Sequence, residues 1–151
     1  MKTKILMVCL GNICRSPLAE GIFKNRLDSN LFEVDSAGTG SYHIGELPDR
    51  RSIAIAREFD IDITNQRCRQ FKKSDFDEFD HIFVMDHSNY RNVIALAANE
   101  TDKQKVQLIL NLNFTGEDLE VPDPYYGGND GFLNVYKMLD GACDAFIEKY
   151  T

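Results

Sequence analysis

Apolar and polar residues alternate along the chain on two different periods. Four short runs, Lys4–Cys9, Phe32–Asp35, His81–Asp86 and Lys105–Leu110, read as β-strands. The first and third are nearly continuous apolar runs, the pattern of strands covered on both faces. Longer stretches around them have helical spacing. Pro17–Leu27 opens with a proline at a first-turn position and places Leu18, Ala19, Ile22, Phe23 and Leu27 on one broad face. Asp49–Phe59 and Ser88–Asn99 are predicted helices with Asp49 and Ser88 as N-caps. Phe132–Tyr150 repeats apolar residues at 132, 135, 136, 139, 142, 143, 146 and 147, the stripe of a helix docked along one face.

Strand–helix alternation with no internal repeat or low-complexity segment predicts one α/β domain over residues 1–151, an open parallel sheet with helices on both faces. A chain of this length buries roughly two-thirds of the surface its unfolded form exposes, so it needs no disulfide or metal staple. Ligand sites in such sheets lie beyond the carboxyl ends of the strands, which directs attention to the residues after Val8.

Charge narrows the field. The formal net charge is −7, which argues against a nucleic-acid binder. It is uneven, however: residues 1–74 are net +3 and residues 75–151 net −10, so an anion site is expected in the first half. The four cysteines, Cys9, Cys14, Cys68 and Cys143, are too few for a disulfide scaffold and read as free thiols in a reducing, cytoplasmic setting. The apolar run Ile5–Leu10 is too short for a signal peptide core or a membrane span.

The segment from Val8 to Pro17 carries the chemistry. It joins a buried strand to a helix, and Cys9 alone among the cysteines has an arginine six residues later. Cys-x5-Arg-Ser/Thr is expected by chance roughly 0.02 times in a chain of this composition. A loop curling from strand to helix aims backbone N–H groups at its centre, and the helix start adds positive potential. The phosphate-binding set is thus Leu10, Gly11, Asn12, Ile13, Cys14 and Arg15, a phosphate loop after the first strand. Arg15 offers a planar fork that grips two oxygens at once. Gly11 and Asn12 suit the left-handed conformations that such a curl requires. The same field favours the thiolate of Cys9, the nucleophilic form, and Ser16 is placed to donate a hydrogen bond to it. No Gly-Lys-Ser/Thr follows Gly11 at the spacing of a nucleoside-triphosphate loop, so neither a triphosphate nor magnesium is implied.

Val8-Cys9-x-Gly11-Asn12-Ile13-Cys14-Arg15-Ser16-Pro17-x-Ala19-Glu20 resembles the signature of the low-molecular-weight protein tyrosine phosphatases, and Asp123-Pro124-Tyr125-Tyr126 resembles their second motif. Length, motif order and the segment Asp35-Ser36-Ala37-Gly38-Thr39 agree, so the resemblance spans nearly the whole chain. It implies a four-stranded parallel sheet and phosphomonoester hydrolysis through a cysteinyl-phosphate, with no metal or cofactor. Asp123 between two prolines reads by itself as a turn residue; the resemblance makes it the general acid that protonates the leaving oxygen and then activates water. Tyr42 and Tyr125 match aromatic walls that favour flat aryl phosphates, although exposed loop tyrosines would read the same way. Ser36 matches a residue that holds Asn12, and Asp86 is a weaker candidate on the same side. Cys14 reads either as a packed thiol or, as the resemblance implies, as the partner of Cys9 in a protective, reversible disulfide. The resemblance also suggests phosphorylation of Tyr125 or Tyr126. The expected partners are phosphotyrosine proteins or peptides and small aryl phosphates, with no nucleic acid and no membrane span, and the protein is expected to be a monomer. Two other readings are an arsenate reductase of the same fold and a phosphate-binding module without turnover. The first relays electrons through further cysteines, absent from His81–Tyr90; the second would lack nucleophile or acid.

Overall fold

The structure is a computed structural model and describes residues 1–125 and 129–151. Strands β1 (Thr3–Cys9), β2 (Phe32–Gly38), β3 (His81–Val84) and β4 (Val106–Leu108) form an all-parallel sheet in the order β2-β1-β3-β4. Helices α1 (Arg15–Arg26), α2 (Arg50–Glu58), α3 (Asp75–Glu78), α4 (His87–Ile94), α5 (Glu100–Gln104) and α6 (Asn129–Tyr150) cover it, with a 3-10 turn over Ile109–Leu112.

The two-residue period of β1 sorts its side chains between two cores. Ile5, Met7 and Cys9 pack with Leu18, Ile22 and Phe23 of α1 and with Leu139 and Phe146 of α6. Leu6 and Val8 face the other way, toward Phe71, Phe76, Phe79 and Val93. Ile5, Leu6, Met7 and Val8 are fully buried, which is why the strand reads as one apolar run rather than an alternation. Each such side chain contributes about 1.5–3 kcal/mol of transfer free energy, and together they fix the end of β1 where the loop begins. Cys9 lies opposite Gly38 of β2, and Val8 opposite Val84 of β3. The chain leaves β1 toward β2 on one side and places β3 on the other, so the order reverses beside β1. A crevice opens at the carboxyl ends there.

Several boundaries differ from the sequence reading. Helix α1 begins at Arg15, with Pro17 inside its first turn, so the loop's arginine is itself the first helical residue. The N-cap of α4 is Asp86, whose Oδ1 accepts the Asn89 N–H at 2.8 Å, and not Ser88. The predicted helix to Asn99 stops at Ile94; Asn99 caps α5 instead, accepting the Asp102 N–H at 2.9 Å. An asparagine favours exactly such a start over a helix interior, because its side chain competes for backbone donors. Strand β4 has three residues, and Ile109 and Leu110 stay buried in the following turn. A short apolar run cannot distinguish a buried strand from a buried turn. Among the described residues, no helix is long and apolar enough to cross a membrane.

Candidate active site

A cavity of about 380 Å³ lies at the carboxyl end of β1, lined by Cys9, Leu10, Gly11, Ile13, Cys14, Arg15, Tyr42, His43, Asp123 and Tyr125. Its floor is the strand-to-helix loop. Asn12 holds the left-handed conformation there, with φ 57°. Gly11 does not, contrary to expectation. Its missing side chain serves close approach, since a Cβ on Gly11 would lie 3.3 Å from His43 Cδ2.

The loop carbonyls are held from outside. Cys9 O accepts from Thr39 N at 2.9 Å, Leu10 O from Gly40 N at 2.9 Å, and Ile13 O from Asp49 N at 2.7 Å. Cys14 O accepts from Ser52 Oγ at 3.2 Å, and Asn12 O from the Cys68 thiol at 2.8 Å. All peptides are trans among the described residues, and in a trans peptide the carbonyl and the next N–H point opposite ways. Anchoring these carbonyls outward therefore turns the N–H groups of Leu10, Gly11, Ile13, Cys14 and Arg15 toward the inside of the curl, a nest for an anion.

Asn12 is the hub of a buried network. Its Nδ2 donates to Ser16 Oγ at 2.7 Å and to Ser36 Oγ at 3.0 Å, while its Oδ1 accepts from Arg69 N at 3.0 Å. Ser36 Oγ passes its hydrogen to Glu20 Oε1 at 2.6 Å. Ser16 Oγ thus accepts from Asn12 and keeps its own hydrogen for Cys9 Sγ, 3.1 Å away. The Glu20 carboxyl is pushed up by burial, against the hydrogen bonds of Lys24 and Ser36. Glu20 stood in the sequence motif without a role; a charged residue three per cent exposed beside a buried serine becomes legible only once the helix packs.

Arg15, two per cent exposed, is oriented by two acceptors on one nitrogen. Its Nη1 donates to Asp86 Oδ2 at 2.7 Å and to Val121 O at 2.9 Å. Asp86 does two tasks, one oxygen capping α4 and the other pairing with Arg15. Val121 is tied in turn, since its N–H donates to Met85 O at 2.8 Å. Asp86 stood in the sequence as a weaker candidate; the Val121 half of this clamp, which no sequence pattern indicated, brings the Asp123 segment against the cavity. Asp123 Oδ2 stands 3.8 Å from Arg15 Nη2, and its Oδ1 accepts the Tyr125 N–H at 3.0 Å. Arg15 Nε is buried and has no hydrogen-bond partner among the described residues.

Tyr42, Tyr125, Leu10 and His43 rim the cavity; His43, missed at the sequence level, pairs with Glu46 at 3.1 Å. Gly40 leaves room for the Tyr42 ring, which a Cβ would meet at 2.7 Å. The Arg51 guanidinium lies over the Tyr125 ring at 5.2 Å and over Phe132 at 4.7 Å. Tyr126 lies outside the described residues. Cys14 is buried, and burial, the charges of Asp49 and Cys9 and, less, that of Asp123 push its thiol up to about 12. Among the described residues all four cysteines are free thiols.

The family model described as low molecular weight phosphotyrosine protein phosphatase matches residues 4–151. The chain is 41% identical to the low molecular weight phosphotyrosine protein phosphatase of Schizosaccharomyces pombe, covering 96% of this chain and 95% of that one. It is 40% identical to the Homo sapiens protein of the same name, covering 96% and 94%. The crystal structure of a protein tyrosine phosphatase from Entamoeba histolytica with Hepes in the active site superposes with a TM-score of 0.89 at 39% identity, covering 98% of this chain and 96% of that one.

Proposed function

This chain belongs to the low molecular weight phosphotyrosine protein phosphatase family and is a phosphomonoester hydrolase, and we propose that it hydrolyses phosphotyrosine and small aryl phosphates through a cysteinyl-phosphate on Cys9. The observation that carries the reading is the loop around Cys9: inward N–H groups, and an Arg15 whose Nη1 is engaged by Asp86 while its Nε is buried without a partner among the described residues. A phosphoryl dianion supplies oxygens for those donors and brings its phosphorus over the sulfur.

In the first step Cys9 Sγ attacks phosphorus as the ester P–O bond breaks, and Asp123 gives its proton to the departing phenolic oxygen. Asp123, exposed at the cavity mouth near Arg15, is positioned to reach that oxygen and stays accessible to water. In the second step Asp123 takes a proton from water, the water oxygen attacks phosphorus, and the S–P bond breaks to release phosphate and the thiolate. Arg15 and the loop N–H groups hold the equatorial oxygens throughout, stabilising charge where it concentrates. Tyr42, Tyr125, Leu10 and Ile13 give the entrance apolar and aromatic walls suited to a flat ring.

Cys14 belongs to the same proposal as the partner of Cys9 in a reversible disulfide. Burial above all holds the Cys14 thiol protonated, pushed up to about 12; a peroxide oxidises the Cys9 sulfur to sulfenic acid, and the Cys14 sulfur then attacks that sulfur, forming the S–S bond as the hydroxyl leaves with the Cys14 proton as water. The test of the function is hydrolysis of p-nitrophenyl phosphate and a phosphotyrosine peptide in the presence of chelator, with competitive inhibition by vanadate. Wild type should turn over and Cys9→Ser should not. Activity retained in Cys9→Ser, or abolished by the chelator, would overturn the reading.

A further inference from the structure

Resting on the phosphate-loop reading above, we propose that Cys68 is a positioning residue for the reaction: its thiol, as donor to the Asn12 carbonyl, orients the Asn12–Ile13 peptide so that the Ile13 N–H faces the phosphate. Cys68 lies 56 residues from Asn12 in sequence, and its sulfur is 2.8 Å from Asn12 O. Cys68 is five per cent exposed. Asn12 is the one loop residue in the left-handed region, the place where a peptide plane is most easily turned over and where an outside hold matters most. The other anchored loop carbonyls are held by backbone N–H groups or by Ser52 of α2; the donor on Asn12 O is this thiol.

The segment carrying Cys68 is rigidly attached on both sides. Cys68 N donates to Glu46 O at 2.9 Å and Cys68 O accepts from Gly45 N at 2.8 Å. The next residue, Arg69, gives its N–H to Asn12 Oδ1 at 3.0 Å and its carbonyl to Gly38 N at 2.8 Å. The Arg69 guanidinium is fixed by Asp75, two per cent exposed at its side chain, and by Asp35, at 3.1 and 3.2 Å. Main chain and side chain of Asn12 are thus gripped by consecutive residues of one braced segment. The thiol is suited to donate because burial, with the charges of Glu46 and Cys9, pushes it up to about 11, so it keeps its proton at neutral pH. A thiol is a weak donor in general, but among the described residues no other donor reaches the Asn12 carbonyl to replace it.

Serine and alanine are close in volume, so Cys68→Ser and Cys68→Ala separate the donor from the packing. Inorganic phosphate is titrated into wild type and both variants while the Ile13 amide is followed by NMR, and kcat and KM are measured for p-nitrophenyl phosphate. Cys68→Ala should weaken phosphate binding and lower kcat about tenfold, with a diminished phosphate-induced shift at Ile13, one net hydrogen bond being about 1.4 kcal/mol at the upper end. Cys68→Ser should restore both to within about threefold. Unchanged binding, kcat and Ile13 shift in a folded Cys68→Ala would overturn the proposal alone, as would equal losses in Ala and Ser. Should Cys68→Ala fail to fold, Cys68→Val, which also lacks a donor, takes its place with the same expected losses. Wild type that binds no phosphate would instead overturn the phosphate-loop reading, and the positioning role with it.

Discussion

Arg15 and Asp123 share one site and have opposite demands. Arg15 is almost fully enclosed and is kept charged by Asp86, because an unpaired buried cation is costly. Arg15→Lys loses the planar fork and should lower kcat by roughly 10²–10³-fold, the cost of removing a positioned donor to the transition state; steady-state kinetics on p-nitrophenyl phosphate measures it. In kcat/KM, which reads the first step, Asp123→Ala should lose roughly 10²–10⁴-fold with phenyl phosphate, whose leaving group needs the proton, and much less with p-nitrophenyl phosphate. Equal losses for both esters would remove Asp123 from the acid role. Glu20 acts further back. Glu20→Gln keeps an oxygen for Ser36 and should retain the Asn12 network and most activity, whereas Glu20→Ala leaves Ser36 without its buried acceptor and should cost about 1–3 kcal/mol in urea unfolding.

At the scale of elements, the loop is shaped by its neighbours as much as by its own residues. Gly38 at the end of β2 illustrates this: a Cβ there would lie 2.8 Å from Leu10 O and 3.1 Å from Asn12 N. Gly38→Ala should therefore cost about 1–3 kcal/mol of stability and displace the loop, raising KM for aryl phosphates. Strand β1, the loop and α1 were legible in the sequence because each follows a local rule: a doubly covered strand reads as an apolar run, and Pro17 marks a helix start. The spacing of Cys9 and Arg15 likewise follows from one turn of backbone. Asp86 as N-cap, Val121 as acceptor for Arg15 and Cys68 as donor to Asn12 were not legible in the same way. They meet the loop across 71, 106 and 56 residues, and no local period records a contact made by tertiary packing. Gly11 was read as a left-handed residue when the structure asks it only for space beside His43.

Across the whole molecule, an acidic chain can carry the proposed anion site because that site is made of local donors. The net +3 half supplies the loop, and the net −10 half supplies Asp86 and Asp123. Burial of thiols has a further global effect. Cys14 and Cys143 are pushed from 9.0 up to about 12, and Cys68 to about 11, chiefly by desolvation. Their folded values exceed the unfolded one, so the stability they contribute is fully present below pH 9 and is lost as pH rises toward 11 and 12. Urea midpoints should fall steeply over that window, and Cys143→Ala, away from the cavity, should flatten the fall; an equally steep fall in the variant would contradict the linkage.

The central claim is a covalent phosphoryl-enzyme at Cys9, and rapid quenching reads it most directly. Asp123→Ala, which slows the attack of water, is mixed with p-nitrophenyl phosphate, quenched in acid within the first turnover, digested and analysed by mass spectrometry. One phosphoryl group is expected on the peptide containing Cys9, attached at sulfur and appearing with the burst of p-nitrophenolate. A burst with the phosphoryl group on any other residue, or steady release of phosphate with Cys9 never modified, would contradict it.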